Sequence, residues 1–274
     1  MTDRTPAADR QEEVLEVDPR RRPRSEAPRL LLTNDDGIES VGLQELAALL
    51  AKRYDVLVVA PEDQASGAGT GIGYFDPSRG VSVTPAELGD ANAYAIAGPP
   101  GLAVMAAMLG AFGDKPDLVV SGINAGINTG HSVVHSGTVG AVLTARTFGC
   151  DGLAVSLAAS DPWRWETAAA VAESVVDWIL ARSGHCTTLN LNVPAVDLSE
   201  IRALKWADLD EFGYFRVAIA DIPGQQLQFE VGAPDSGLDP ASDTALLREH
   251  FATLTPLTSV EPSAFPESGP DLPG

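Results

Sequence analysis

One stretch of the chain decides the fold: Arg29-Leu30-Leu31-Leu32-Thr33-Asn34-Asp35-Asp36-Gly37, in which a short apolar run leads directly into a polar turn. An amphipathic segment from about Gly42 to Tyr54 comes next. The order is therefore strand, loop and helix.

The same unit recurs further along the chain. Short apolar runs alternate with helical stretches, and this alternation predicts an α/β fold with a parallel sheet and helices on both of its faces. The predicted strands are Val56–Ala60, Leu118–Ser121, Leu153–Ser156 and Thr188–Val193, and the predicted helices lie near Leu102–Leu109, Val139–Phe148 and Thr167–Ala181.

Beyond Pro194 this regularity ends. Residues 195–235 contain spaced aromatics (Trp206, Phe212, Tyr214, Phe215, Phe229) and the turn Pro223-Gly224, a pattern typical of an antiparallel hairpin. A short helix near Thr244–His250 and an apolar run at Leu254–Leu257 follow. The pattern predicts a flexible leader at 1–28, a core at 29–194, a hairpin and C-terminal extension at 195–260, and a disordered tail at 261–274.

Composition excludes several classes of protein. The 274 residues carry a net charge of -20, with 38 acidic against 18 basic side chains, which disfavours binding to duplex nucleic acid. Residues 1–29 hold seven Arg but also seven acidic residues, so a nucleic-acid-binding arm is a poor interpretation of the leader.

No apolar run reaches the roughly 18 residues of a membrane helix. With only two cysteines and no signal peptide pattern, we expect a cytoplasmic protein with reduced thiols.

Polar loops follow three of the predicted strands, where the ligand sites of open parallel sheets lie. They are Asn34–Gly37, Ser66–Gly69 and Ser121–Asn124. The adjacent carboxylates of Asp35 and Asp36 repel each other, and a hard divalent cation such as Mg²⁺ or Mn²⁺ would relieve that repulsion. The alternative is that Asn-Asp-Asp-Gly is only an ordinary turn.

A fourth loop leads into the helix near Val139. The segment Ser136-Gly137-Thr138 would lie at the N-terminus of this helix, where backbone N–H groups and the helix dipole favour a phosphate. Alternatively, Ser136 is only an N-cap. A metal ion and this helix end would bracket one phosphoryl group from two sides. His131 is a candidate proton donor to a leaving group, although loop histidines are often only surface residues.

The sequence matches neither of two common nucleotide-binding motifs. The stretch Gly67-Ala68-Gly69-Thr70-Gly71-Ile72-Gly73 has Ile72 where the dinucleotide fingerprint requires glycine, and it follows the second strand instead of the first. The chain also lacks the Gly-x-x-x-x-Gly-Lys-Ser/Thr phosphate loop. A nicotinamide-dependent dehydrogenase and a kinase of that type are therefore disfavoured.

Taken together, the loop motifs resemble the survival protein E (SurE) family in residue type, order and spacing. The resemblance is strong over residues 29–160 and continues more loosely through the segment 189–194, Asp243 and the segment 254–257. The motifs are Leu32-Thr33-Asn34-Asp35-Asp36-Gly37-Ile38, Ala60-Pro61, Ser66-Gly67, Ser121-Gly122-Ile123-Asn124 with Asn128 and Gly130, and Ser136-Gly137-Thr138-Val139-Gly140.

This resemblance implies a metal-dependent phosphomonoesterase acting on nucleoside monophosphates, with a Rossmann-like core. It also implies a homodimer or homotetramer in which the C-terminal hairpin and helix are exchanged between subunits. Carried onto this chain, the metal ligands would be Asp35, Asp36, Ser66 and Asn124, and the phosphate would be held by Asn128, Ser136, Gly137 and Thr138.

The chain also departs from the family pattern. Gly98-Pro99-Pro100-Gly101-Leu102-Ala103 stands where the family usually has Gly-Thr-Pro-Ala-Asp-Cys, the segment after Ser66-Gly67 differs, and His135 replaces a common Tyr. The leading hypothesis is hydrolysis of a phosphate monoester, with Asp35 either activating water or attacking phosphorus directly. The alternative is a sensor or partner-binding module that keeps the metal and nucleotide pocket but has no turnover.

Overall fold

The computed structural model describes residues 27–74, 76, 78–182, 186–211 and 237–258. Its strands are β1 (Arg29–Thr33), β2 (Asp55–Pro61), β3 (Val83–Leu88), β4 (Ala91–Ile96), β5 (Leu118–Ala125), β6 (Asp151–Leu157), β7 (Thr188–Val193), β8 (Leu204–Trp206) and β9 (Ala252–Pro256). Its α-helices are α1 (Val41–Leu50), α2 (Pro100–Met108), α3 (Gly137–Thr147), α4 (Trp165–Leu180) and α5 (Asp243–Arg248).

The described strands form one sheet in the order β3-β4-β2-β1-β5-β6-β7-β9-β8. The strands from β4 to β7 in this order pair in parallel, so their carboxyl ends share one edge. This architecture confirms the predicted α/β fold with a largely parallel sheet.

Helices cover both faces of the sheet because successive side chains of a strand point to opposite faces. Leu30 and Leu32 face the layer formed by α1 and α4. Leu31 faces the layer formed by α2 and α3. All three leucines are fully buried, which explains why the first strand is a continuous apolar run instead of an alternating one.

The edges of the sheet differ from the sequence prediction. The antiparallel hairpin of β3 and β4 was not predicted, because β3 is interrupted by Pro85 and half-exposed, so it lacks an apolar run. Near the other edge, β9 pairs antiparallel with β7 and parallel with the edge strand β8. The helix predicted to reach Tyr54 ends at Leu50, because the chain must turn back to enter β2 at Asp55.

Several predictions fall outside the described residues. These are the leader up to residue 26, the tail 261–274, and the part of the proposed hairpin that contains Phe212, Tyr214, Phe215, Phe229 and the turn Pro223-Gly224. The hairpin, its exchange between subunits and the domain boundaries therefore stay predictions. In the described part of the chain, every helix is too short or too polar to cross a bilayer.

Helix α1 lies unusually close to the end of β5, and Gly42 makes this approach possible. A Cβ atom built on Gly42 would lie 2.2 Å from the carbonyl oxygen of Ile123 and 2.9 Å from the Trp165 ring. Real side chains do not tolerate such distances, so the contact requires glycine at this position. It sets the position of α1 against the strand end that carries Asn124.

We expect Gly42→Ala to destabilise the protein by about 1–3 kcal/mol, because the added methyl group must push α1 away from β5. Urea unfolding measures this loss. Val41→Ala, at the exposed neighbouring position, is the matched control and should change stability by less than about 0.5 kcal/mol. Equal stability of the Gly42→Ala variant and the wild type would contradict the close packing described here.

Candidate active site

The turn after β1 is held by its own asparagine. Asn34 accepts a hydrogen bond from the Gly37 N–H at 3.2 Å and donates to the Gly37 carbonyl at 2.9 Å. Gly37 has a φ of 100°, a conformation that favours glycine. The turn interpretation of Asn-Asp-Asp-Gly is therefore correct for Asn34 and Gly37, and this turn presents the two carboxylates between them.

Asp35 lies against the N-terminus of α3. The Thr138 hydroxyl donates to Asp35 Oδ1 at 2.5 Å, and a Cβ atom built on Gly137 would lie 2.8 Å from Asp35 Oδ2. Asp35 is only 3% exposed. The positive end of the helix dipole stabilises a buried carboxylate in this position, and Gly137 leaves room for it.

The Ser136-Gly137-Thr138 segment begins α3 as predicted. Ser136 is the N-cap, since its side-chain oxygen accepts from the Val139 N–H at 3.2 Å. The Thr138 hydroxyl hydrogen is directed at Asp35, so this side chain links the carboxylate to the helix. The backbone N–H groups of Gly137 and Thr138 belong to the first turn, where no intrahelical acceptor exists.

Asp36 points toward the end of β5. Its Oδ2 accepts from the Ala125 N–H at 3.3 Å, next to Asn124. Asn124 donates its amide NH₂ to the Gly126 carbonyl at 2.8 Å, an arrangement in which the amide oxygen is the part offered to a cation. Two of the three predicted strand ends, those of β1 and β5, therefore meet at Asp36.

Burial raises the pKa of the Asp36 carboxyl above its usual range, and the charge of Asp35 raises it further, whereas the Ala125 N–H lowers it. Like charges beside each other in a partly desolvated site have this effect. The same electrostatic strain is relieved when a cation binds between the carboxylates.

The loop after β2 is tied to the same place. The Ala65 N–H donates to the Asp35 carbonyl at 2.7 Å, and the Gly69 N–H donates to the His135 carbonyl at 3.2 Å. Ser66 follows Ala65 directly and is exposed, with its hydroxyl accepting from Gln64 at 3.2 Å. The loop thus brings Ser66 next to the backbone contact with Asp35.

Gly140 is a site residue for which the sequence motif supplied no role. A Cβ atom there would lie 1.8 Å from the Gly69 carbonyl oxygen, so only glycine lets the loop after β2 rest on α3. The sequence did contain a signal for this role, namely the position of Gly140 in the motif Ser136–Gly140. The contact with Gly69 could not be predicted, because the two glycines are far apart in sequence.

Asn128 and His131 lie on the segment between β5 and α3. The Asn128 side chain donates to Ser156 Oγ at 2.9 Å. The His131 backbone N–H donates to the Asp210 carbonyl at 3.0 Å, while its side chain is exposed. The buried Asp243 fastens this segment as well, because its Oδ2 accepts from the Gly130 N–H at 2.9 Å. Burial raises the pKa of Asp243, against the effect of its backbone hydrogen bonds.

The donor set fits a hard divalent ion. Within the described ranges, no group of three or more His, Cys, Asp or Glu side chains is placed to hold a metal. The four ligands predicted from the sequence would offer the oxygens of two carboxylates, Asp35 and Asp36, and the neutral oxygens of Ser66 and Asn124. Carboxylate, hydroxyl and amide oxygens are the ligands that Mg²⁺ and Mn²⁺ prefer.

A cavity of about 370 Å³ opens beside this site. It lies where β2 and β4 end, and it adjoins the turn at Gly98, where the sequence differs from the usual family pattern. Its lining consists of residues 61–65 and 96–99.

The fold and the site define an open α/β protein whose carboxyl sheet edge carries two adjacent carboxylates, one against a helix N-terminus and the other toward the end of β5. The family model "Survival protein SurE" matches residues 30–215. The chain is 37% identical over 235 residues to the 5'-nucleotidase SurE of Chloroflexus aggregans, with 83% of this chain and 92% of that protein covered. It is 36% identical to the 5'-nucleotidase SurE of Rhodopirellula baltica, with 84% and 92% covered.

Among solved structures, the SurE protein from Aquifex aeolicus superposes with a TM-score of 0.72 at 28% identity, covering 84% of this chain and 93% of that one. The chain belongs to the SurE family. The family resemblance inferred from the loop motifs is confirmed.

Because the pKa of Asp36 is raised on folding, the native state binds its proton more tightly than the unfolded chain. This carboxyl therefore lowers stability as the pH rises from about 4, its unfolded pKa, through its higher folded pKa. In metal-free protein we expect Asp36→Asn to raise Tm at pH 7 by roughly 1–3 °C, and the difference should vanish below about pH 4.

Thermal unfolding in the presence of a chelator measures this effect. Asp63→Asn removes an exposed carboxylate from the neighbouring loop and should leave Tm within about 1 °C of wild type. A lower Tm for Asp36→Asn at pH 7 would contradict the described strain.

Proposed function

We propose that this chain is a metal-dependent phosphomonoesterase that hydrolyses nucleoside monophosphates. The observation that carries the proposal is the position of Asp35, whose carboxylate lies against the first turn of α3 with Asp36 beside it. A cation bound by the pair and the amides of the helix end would face the same small volume, which suits a phosphoryl group. The relatives named 5'-nucleotidase support a nucleotide as the substrate.

The ion is Mg²⁺ or Mn²⁺ in this proposal, held by Asp35, Asp36, Ser66 and Asn124. When bound, such an ion polarises a phosphoryl oxygen and lowers the pKa of a coordinated water. Asn128, Ser136, Gly137 and Thr138 surround the phosphate, with the first-turn N–H groups of α3 directed at its oxygens.

Asp35 is the proposed catalytic carboxylate, and Thr138 holds it in one orientation. Two routes use this position: Asp35 accepts a proton from the attacking water, or its oxygen attacks phosphorus directly. His131 donates a proton to the leaving group in this scheme, and its exposure at the rim of the segment before α3 leaves it accessible to a substrate.

We also propose a cytoplasmic homodimer or homotetramer that binds neither duplex nucleic acid nor membranes. The acidic composition supports the absence of nucleic acid. Cys150 and Cys186 are both free thiols, which suits a reducing compartment.

A sensor without turnover is the second candidate, and the turn before α2 favours it. Where the family has a hydroxyl and a carboxylate, this chain has Pro99 and Leu102, and Leu102 is buried in the core. Gly101 lies in close contact with the loop after β2, since an added Cβ would be 2.9 Å from the Gly71 carbonyl oxygen. This turn therefore offers packing in place of polar groups.

A panel of nucleoside monophosphates and simple phosphate esters, assayed with Mn²⁺, Mg²⁺ or chelator, separates the two candidates. We expect phosphate release that requires the metal, and we expect Asp36→Asn to lower kcat at least 100-fold while the protein remains folded, because one ligand of the ion loses its charge. Nucleotide binding without release from any substrate would favour the sensor.

The link between Thr138 and Asp35 predicts an effect on metal affinity. Thr138→Val leaves the buried Asp35 without the hydroxyl that orients it, and loss of such an orienting partner of a metal ligand typically lowers metal affinity about 10- to 100-fold. We expect Mn²⁺ affinity, measured by calorimetry, to fall roughly tenfold or more. Thr138→Ser keeps the hydroxyl and should bind Mn²⁺ like wild type. If both variants bind Mn²⁺ equally well and only phosphate binding weakens, Thr138 serves the phosphate alone.

A further inference from the structure

Strand β7 contains buried polar residues whose role is not explained by packing. Asn190 and Asn192 are fully buried on the face opposite to the leucines of the same strand. Burying a carboxamide is costly unless it makes hydrogen bonds. The partners of these two side chains therefore indicate what the strand holds.

Both asparagines hold Asn128. Asn192 Oδ1 accepts from the Asn128 N–H at 2.8 Å, and Asn192 Nδ2 donates to the Asn128 carbonyl at 2.8 Å. Asn190 Nδ2 donates to the same carbonyl at 2.8 Å. Because both the N–H and the carbonyl group of Asn128 are hydrogen-bonded to β7, the position of its backbone relative to the sheet is fixed.

Ser156 fixes the side chain of Asn128. Its Oγ accepts one hydrogen of the Asn128 amide at 2.9 Å, and an amide NH₂ has a second hydrogen to offer. In the sheet, Ser156 pairs with Asn124 of β5 on one side and with Asn192 of β7 on the other. Three paired positions on neighbouring strands therefore carry Asn124, a proposed metal ligand, and the two residues that hold Asn128, a proposed phosphate ligand.

We propose that Ser156 and Asn192 are positioning residues that hold the Asn128 amide toward a phosphoryl oxygen of the substrate. This inference rests on the proposed function. Neither residue touches the substrate; they act by removing the freedom of Asn128 before the substrate arrives. Such preorganised donors are effective because they need no rearrangement in the transition state, and a misplacement of about 1 Å can cost up to 100-fold in rate.

A double-mutant cycle tests this inference, because it distinguishes an effect through Asn128 from a general structural effect. Ser156→Ala removes only the acceptor of the Asn128 amide, and we expect kcat/KM to fall about tenfold. In the Asn128→Ala background the same Ser156→Ala change should alter kcat/KM by less than about twofold. Equal losses in both backgrounds, or no loss in either, would overturn the proposal.

Asn192→Ala extends the test to the hydrogen bonds that hold the Asn128 backbone. We expect kcat/KM to fall by about 10- to 100-fold, and by less when Asn128 is already alanine. The affinity for inorganic phosphate in the presence of Mn²⁺, measured by calorimetry, should weaken in parallel for both single variants. If Asn192→Ala does not fold, the Ser156→Ala cycle still decides the question.

Thr253→Val is the matched control. Thr253 pairs with Asn192 in the sheet and is fully buried, yet its hydroxyl has no partner among the residues that the structure describes. Removing this hydroxyl should leave kcat/KM and phosphate affinity within about twofold of wild type. A loss as large as that of Ser156→Ala would show that any change in this buried layer is harmful, and it would overturn a specific role for Ser156.

The two proposals fail differently. A wild-type protein that releases phosphate but is insensitive to Ser156→Ala contradicts the positioning role alone. A wild-type protein that binds phosphate without turnover contradicts the enzymatic function, whereas weakened phosphate binding by Ser156→Ala would still support the positioning role.

Discussion

The contact between the Asp35 carboxylate and the first turn of α3 is the interaction on which the site depends. It requires a strand that ends two residues before Asp35, a helix capped by Ser136, and a glycine at position 137 that leaves room for the carboxylate oxygen. The helix dipole and the Thr138 hydroxyl compensate the burial of this charge. Because the first-turn N–H groups of a helix have no intrahelical acceptor, this contact places an acidic group beside N–H groups of the kind that can bind an anion.

This arrangement has a cost in stability. Asp36 cannot share the helix end with Asp35, and its raised pKa records both its burial and the neighbouring charge. A protein under selection for stability alone would have little reason to keep two adjacent carboxylates here. A cation of two positive charges turns this repulsion into attraction, which is why the strain itself is an argument for a metal site.

The sheet supplies the remaining precision of the site. Parallel pairing places Asn124, Ser156 and Asn192 at one level on neighbouring strands, and buried amide groups extend from that level to the segment before α3. Glycines complete the assembly where backbones approach closely, at Gly42 between α1 and β5 and at Gly140 between α3 and the loop after β2. Rigid strands thus position loops that would otherwise sample many conformations.

The sequence by itself determined the α/β class, the strand that leads into the Asp35 turn and the helix start after Ser136, because apolar periodicity and turn residues are local signals. Only the tertiary structure decided what meets at the site. The β5–β6 pairing shifts register between Ser121 and Asn124, Thr138 turns to Asp35, and Asn192 reaches Asn128 across 64 residues of chain. Such contacts depend on how strands pair and how closely backbones pack. Both involve segments that are far apart in sequence, so the residues of one segment do not determine them.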